Sequence, residues 1–338
     1  MRLSMVKEVI REHVNDPKLC LTSIFMEGFS GIGKSEGAIQ VSQEEDLPVI
    51  DIRFSQMDSV DLRGVPFVEV LRKETERCTR WARPGFLPDA STPRGIFFAD
   101  ELTSGMPSVL AAAYQMFNDR GVGDYRFPQG WLLLAAGNPT ASRGVTYQMP
   151  APLLNRFLKI DVTTHLDDFI DHAAMVGLNT KVIAFLQTRA DMLYKFDPSS
   201  EIKPFPTPRS WFRAAQYVEK PKEIRIELVQ GCVGEEAATH FETFLRVWGE
   251  LPDMDEVRDT PTTAKIPDSL GGKWAVAVSV AEVIDIRNFA RVNKYLERLP
   301  DEFSMLAGRL AHKRVPKLHV SDGYKDWAQR HGNILHQS

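Results

Sequence analysis

Apolar and polar positions change rhythm once along this chain. From residue 21 to residue 164, short apolar runs alternate with helical stretches; beyond 164 the pattern is helical. Five runs read as strands: LTSIFMEG (21–28), PVIDIRF (48–54), GIFFADE (95–101), WLLLAAGN (131–138) and LKIDVTT (158–164). Several are almost continuously apolar, as strands covered by helices on both faces are. Their alternation with helices predicts an α/β fold with a parallel five-stranded sheet. MRLSMVKEVIREHV at the start reads as a charged amphipathic helix, and RGVGDYRFPQG (120–130) as hairpin-like.

The second rhythm predicts helices in HLDDFIDHAAMVG, TKVIAFLQTRADMLYKF, PRSWFRAAQYVEK, RIELVQGCVG and EEAATHFETFLRVW. Residues 251–272, rich in Pro, Asp and Thr, read as a linker or loop. KWAVAVSVAEVID, IRNFARVNKYLERL and DEFSMLAGRLAHK return to helix. The expected division is an α/β core over 1–164, a small helical domain over 165–250, and a linker with a helical tail over 251–338. No internal repeat or low-complexity segment interrupts it.

Composition narrows the class. The 338 residues are 43% hydrophobic and 25% charged, ordinary for soluble globular protein. A net charge of −4 and a pI near 6.1 do not give the broad basic face of a dedicated nucleic-acid binder. Cys20, Cys78 and Cys232 form no CxxC pair or Cys/His cluster, and read as buried free thiols in a reducing compartment. The N-terminus is not a secretory signal and no run is long enough for a membrane span, so a cytoplasmic protein is expected.

Chemistry concentrates at strand ends. Gly28-Phe-Ser-Gly-Ile-Gly33-Lys34-Ser35 fits GxxxxGK(S/T) in full, after a strand and before a helix. Glycines let successive backbone N–H groups turn toward a phosphate, and the helix that follows favours anions at its N-terminus. The expected nucleotide-binding residues are Gly28, Gly31, Ile32, Gly33, Lys34, Ser35 and Glu36. Lys34 would reach the β- and γ-phosphates and Ser35 would ligate Mg²⁺. The bland alternative is a glycine turn before a helix. Asp100 and Glu101 end the third run, where α/β sheets bind ligands. Asp100 can hold Mg²⁺ and Glu101 can polarise the attacking water, although acids at a strand end also commonly just face solvent. Asn138 ends the fourth run, where an amide can orient that water or merely turn the chain before Pro139. Arg156 in APLLNRF and Arg209 in PTPRSW could neutralise charge on a transferring phosphoryl group, or be surface residues.

The ordered set resembles AAA+ ATPases of the MoxR type across roughly residues 20 to 220. It comprises a strand with GxxxxGKS, a strand ending in Asp-Glu, a strand ending in Asn, LLNRF and TPRSW. MDSVDLRGVP (57–66) is similar to that family's Asp-Leu-x-Gly-x-Pro signature. FLRVWGELPD and KYLERLPDEF resemble, less closely, the C-terminal extension of MoxR-type proteins of phages and bacteria. The resemblance implies Walker A at Gly28, Gly33, Lys34 and Ser35, Walker B at Asp100 and Glu101, and sensor 1 at Asn138. It implies an arginine finger at Arg156 reaching a neighbouring subunit, sensor 2 at Arg209, and a homo-oligomeric, typically hexameric ring using ATP and Mg²⁺. It also implies a sheet order with the phosphate loop on a central strand. Arg143 in TASRGVTYQMP is a second finger candidate. Phe29 and Ser30 replace the family's usual loop prolines, and Gly37 sits inside the first helix at a cost of about 1 kcal/mol against Ala.

Three purposes for the ATP fit. One is chaperone-like remodelling of a protein partner, which the resemblance suggests carries a von Willebrand factor A domain. Another is a nucleic-acid motor or loader, disfavoured by the near-neutral charge. The third is a nucleotide-gated scaffold, against which the full set of Glu101, Asn138 and Arg156 argues. Arg63, Phe67, Trp81 and Phe86 could grip a client, or pack in the core or at a subunit interface.

Overall fold

A computed structural model describes residues 1–70, 77–142, 146–197, 203–249 and 251–335. The chain forms two compact units, Met1–Thr163 and Thr164–Ser338. In the first, the strands are β1 (Ser23–Glu27), β2 (Val49–Arg53), β3 (Val65–Val70), β4 (Arg77–Ala82), β5 (Arg94–Asp100), β6 (Gly121–Val122), β7 (Tyr125–Arg126), β8 (Gly130–Gly137) and β9 (Phe157–Asp161). Its helices are α1 (Leu3–Asn15), α2 (Lys34–Glu44), α3 (Ser59–Arg63), α4 (Pro107–Asp119) and α5 (Ala151–Leu154).

Five strands form one parallel sheet in the order β2-β5-β8-β1-β9. Ile24, Phe25 and Met26 of β1, Ile96 to Ala99 of β5 and Trp131 to Ala136 of β8 are all buried. That burial on both faces accounts for their unbroken apolar runs. The fold is an α/β arrangement with a parallel five-stranded sheet whose strand β1 leads into the glycine-rich loop, followed by an all-helical unit. The strand leading into the phosphate loop, β1, is interior, although the middle place belongs to β8. Register sets the strand ends level: Glu27 pairs with Gly137, Ala99 with Ala135, and Arg53 with Asp100. The residues that follow these ends therefore gather along one edge of the sheet.

α1 packs on α2 and bears on the loop. A Cβ at Gly37 would stand 2.9 Å from Leu3 Cδ1. The glycine that looks unfavourable for a helix is thus where α1 comes closest. Lys7 and Arg11 of α1 then pair with Glu44 at the far end of α2. Two further hairpins are separate from the main sheet, β3–β4 and β6–β7. The second matches the hairpin-like reading of residues 120–130. The first was not legible as strands.

The second unit contains α6 (Leu166–Met175), α7 (Thr180–Thr188), α8 (Pro208–Ala215), α9 (Lys222–Val233), α10 (Glu235–Trp248), α11 (Met254–Asp259), α12 (Leu270–Val283), α13 (Phe289–Leu296), α14 (Asp301–Arg314) and α15 (Asp322–Leu335). The sequence divides 165–250 from 251–338, but α12 packs against α7, α10 and α14 within one continuous core. The expected linker is likewise built in. Asp253 caps α11 through the Asp255 N–H, and Val257 and Ala264 are buried. The carbonyls of Pro261 and Ala264 accept from Arg298. Pro, Asp and Thr here build caps and turns on a packed segment. Cys20 is buried as expected, whereas Cys78 and Cys232 are half-buried; all three are free thiols. Among the described residues no helix is long and apolar enough to cross a membrane.

Candidate nucleotide-binding and hydrolysis site

The loop from Gly28 to Gly33 joins β1 to α2. Gly31 and Gly33 have φ of +81° and +98°, which only glycine adopts without strain. Gly28 is required sterically, since a Cβ there would stand 2.7 Å from the Val162 carbonyl oxygen and from Ile32 Cδ1. Ile32 is buried and anchors the loop. Gly33 caps α2, so Lys34, Ser35 and Glu36 form its first turn, where backbone N–H groups have no intrahelical acceptor. Those donors and the helix dipole make an anion cradle. Glu36 itself is exposed, with its carboxylate accepting from Gln40 at 3.1 Å.

Lys34 is 7% exposed, so its ammonium is largely withdrawn from water. It donates to the carbonyls of Gly28 and Phe29 and to Asn138 Oδ1 at 3.3 Å. The phosphate-loop lysine and the end of β8 are therefore in direct contact. Ser35 Oγ donates to Asp100 Oδ2 at 2.6 Å. A hydroxyl and a carboxylate oxygen converge there, the donor types a hard divalent cation takes. Asp51, on β2, is raised above the ordinary carboxyl range by desolvation and by the Asp100 carboxylate. Arg53 offsets part of the repulsion between these two carboxylates, and a divalent cation would relieve the rest. Ser35 and Asp100 fit Mg²⁺ on these grounds.

Glu101 follows Asp100 in a left-handed conformation, φ 55° and ψ 33°. Such a backbone is uncommon outside glycine, and here it turns the chain out of the strand at the acidic pair. The Glu101 N–H donates to Asp100 Oδ1 at 2.8 Å, and Ser55 Oγ donates to Glu101 Oε2. Ser55 lies just beyond β2 and had no sequence signal. Thr103 was also missed. Buried to 5% exposure, its hydroxyl accepts from the Asn138 N–H at 3.0 Å and donates to the Asn138 carbonyl at 3.1 Å. It ties the segment after β5 to the end of β8, and a Cβ at Gly137 would meet it at 2.7 Å.

The loop, Lys34, Ser35, Asp100, Glu101 and Asn138 thus form one constellation in the first unit. Arg156, between α5 and β9, is exposed and makes no hydrogen bond or ion pair through its side chain with the described residues. Arg143 lies outside the described residues. Arg209 belongs to the second unit, exposed at the second position of α8. Thr207 and Ser210 close a reciprocal capping box around it, at 3.0 and 2.8 Å, which fixes that helix start.

No protein-family model matches the chain, and no curated protein matches it. Among solved structures it is similar to a Cytophaga hutchinsonii protein assigned as an ATPase, at 14% identity and a TM-score of 0.33, over 92% of this chain and 85% of that one. It is also similar to NtrX of Brucella abortus, solved in complex with ADP, at 12% identity and a TM-score of 0.34, over 98% of this chain and 68% of that one. These likenesses are too loose to transfer roles, so the site is read from its own geometry.

Proposed function

We propose that this chain is a MoxR-type AAA+ ATPase that hydrolyses ATP between subunits of a homo-oligomeric ring and uses it to remodel a protein partner. The observation that carries the reading is the convergence of Ser35 with Asp100 and of Lys34 with Asn138 at the mouth of the glycine loop. A turn that merely starts a helix has no need of a buried lysine, an acidic strand end and a polar strand end in mutual contact.

In this reading the loop N–H groups and Lys34 bind the phosphates of ATP. Ser35 and Asp100 hold Mg²⁺, which when bound neutralises phosphate charge. Glu101 polarises the attacking water and Asn138 orients it. Arg156, exposed and without a side-chain partner among the described residues, is available to a neighbouring subunit's site, which supports an oligomer; a hexamer is the ring size the family pattern suggests. Arg209 serves as the arginine of the helical unit.

Glu101→Gln is expected to keep ATP binding and lose turnover, and unchanged turnover would exclude Glu101 as the activating base. Subunits carrying Arg156→Ala, mixed with subunits carrying Glu101→Gln, are expected to recover part of the activity. Some interfaces then join an intact Arg156 to an intact Glu101. Verified mixed rings without recovery would remove the trans role. Pull-down with Glu101→Gln, which should hold ATP and client together, tests for a partner with a von Willebrand factor A domain.

A further inference from the structure

The two small hairpins meet around a cavity of about 180 Å³. Trp81 of β4 forms one wall. The turn of the β6–β7 hairpin lies against it, with Trp81 Cδ1 3.7 Å from where a Gly123 Cβ would stand. Val122 and Tyr125 complete the apolar lining, and Arg63 and Arg83 supply charge. Arg63 is held at the end of α3 because Gly64 after it is pressed on Ala82, whose carbonyl oxygen would be 1.8 Å from a Cβ.

The two arginines are incompletely used. Arg63 is exposed and makes no hydrogen bond or ion pair through its side chain with the described residues. Arg83 donates one guanidinium nitrogen to the Pro88 carbonyl at 3.1 Å, lies 3.8 Å from Asp89 and stands 5.8 Å over the Tyr125 ring. The one acid in the lining, Asp124, is paired with Arg80 at 3.5 Å. The cavity therefore offers positive charge above aromatic walls. Planar guanidinium groups in that setting select a carboxylate or phosphate.

Size and surroundings choose between carriers of that anion. Pockets for whole drug-sized molecules start near 300 Å³, so this one takes a single side chain. Beside it, among the described residues, β3 and β4 pair only with each other, which leaves their outer edges to hydrogen-bond an extended peptide. Val65, Phe67 and Val68 stand 61%, 48% and 62% exposed on that ribbon. A nucleic-acid strand would instead need a row of free cations, whereas Arg80 is tied to Glu69 at 3.0 Å as well as to Asp124.

We infer that this junction binds an acidic, apolar-flanked segment of a protein client, with a client carboxylate between Arg63 and Arg83. The client's being a protein rests on the remodelling reading; the binding itself is measurable without turnover.

The test uses the full chain and a short fluorescein-labelled peptide of alternating glutamate and valine, read by anisotropy. Controls are the lysine–valine counterpart and oligothymidylate. The glutamate peptide should bind, and both Arg63→Gln and Arg83→Gln should weaken it about tenfold or more, as loss of a charge-assisted hydrogen bond does. Arg63→Lys should restore only part, lacking the planar fork. Circular dichroism checks that the variants remain folded. Equal affinity in wild type and both glutamine variants overturns the inference. So does tighter binding of oligothymidylate that is lost in Arg63→Gln, which would assign the cavity to nucleic acid. Peptide binding by a wild-type chain that does not hydrolyse ATP would keep the site and remove the remodelling reading. Hydrolysis without peptide binding would remove the site and keep that reading.

Discussion

Thr103→Val separates positioning from chemistry at the candidate site. Valine keeps the shape of threonine, so the contact with Gly137 survives and only the hydroxyl is lost. That hydroxyl makes two hydrogen bonds to the main chain of Asn138, at 3.0 and 3.1 Å, from a side chain only 5% exposed. Each such bond contributes about 0.5–1.5 kcal/mol, and a buried group left without a partner costs about 1–3 kcal/mol. A local loss of about 2 kcal/mol is therefore expected at the end of β8. Mass-spectrometric hydrogen exchange over residues 131–142 reads it directly, as roughly thirtyfold faster exchange of the Asn138 amide at that energy. Turnover should fall while ATP binding is retained, since the Lys34 contact is made by the Asn138 side chain. If Thr103 acts through Asn138, the effects of Thr103→Val and Asn138→Ala on kcat should be strongly non-additive. Unchanged exchange at Asn138, or fully additive effects on kcat, would refute the argument.

Four further outcomes follow from individual contacts. Lys34→Ala should lose nucleotide binding by equilibrium titration, because the charge it removes is the buried cation of the loop. Ser55→Ala should raise basal phosphate release a few-fold, since the hydroxyl engages a carboxylate oxygen of Glu101, the proposed water-polarising base; a fall would make Ser55 a positioning residue instead. Gly308→Ala should destabilise the helical unit by about 1–3 kcal/mol in urea unfolding, because its Cβ would lie 2.3 Å from the rigid Trp327 ring. Glu242→Ala should cost about 1–3 kcal/mol, measured the same way, because Arg225, which now donates to it at 2.6 and 2.9 Å, would keep only the Val218 and Lys220 carbonyls.

What was legible in the sequence was what local pattern controls. The three interior strands announced themselves because they are buried on both faces, which demands apolar residues at every position of β8 from Trp131 to Ala136, whereas the edge strands β2 and β9 are partly exposed. The loop was legible because its backbone geometry demands glycine at fixed spacing. β3 and β4 were not, because an exposed ribbon has no buried face to enforce alternation: Val65 and Val68 fall on opposite faces and both are exposed. Thr103 and Ser55 were invisible for another reason. Their roles depend on how β2, β5 and β8 align at their ends, and a single threonine or serine beyond a strand carries no trace of that register. The packing of residues 251–264 onto the helical core was not legible because proline and aspartate mark a turn equally well whether it is solvated or packed on a core.

Partnerlessness sharpens the roles of the arginines only in combination with place. Arg225 is committed to Glu242, Arg298 to two carbonyls and Arg11 to Glu44 and Glu45. Their charges stabilise the fold, and removing them would report on stability. Arg156 and Arg63 have no such duty among the described residues, so substituting them should leave unfolding within about 0.5 kcal/mol of wild type. The two then part by location. Arg156 follows α5 directly before β9, whose first residue Phe157 packs on Phe25 of the strand that leads into the phosphate loop. Arg63 opens instead onto the cavity between hairpins. Loss of turnover in unmixed subunits should therefore follow Arg156, and loss of acidic-peptide binding should follow Arg63. The same residue governing both readouts would mean that the two surfaces are not independent.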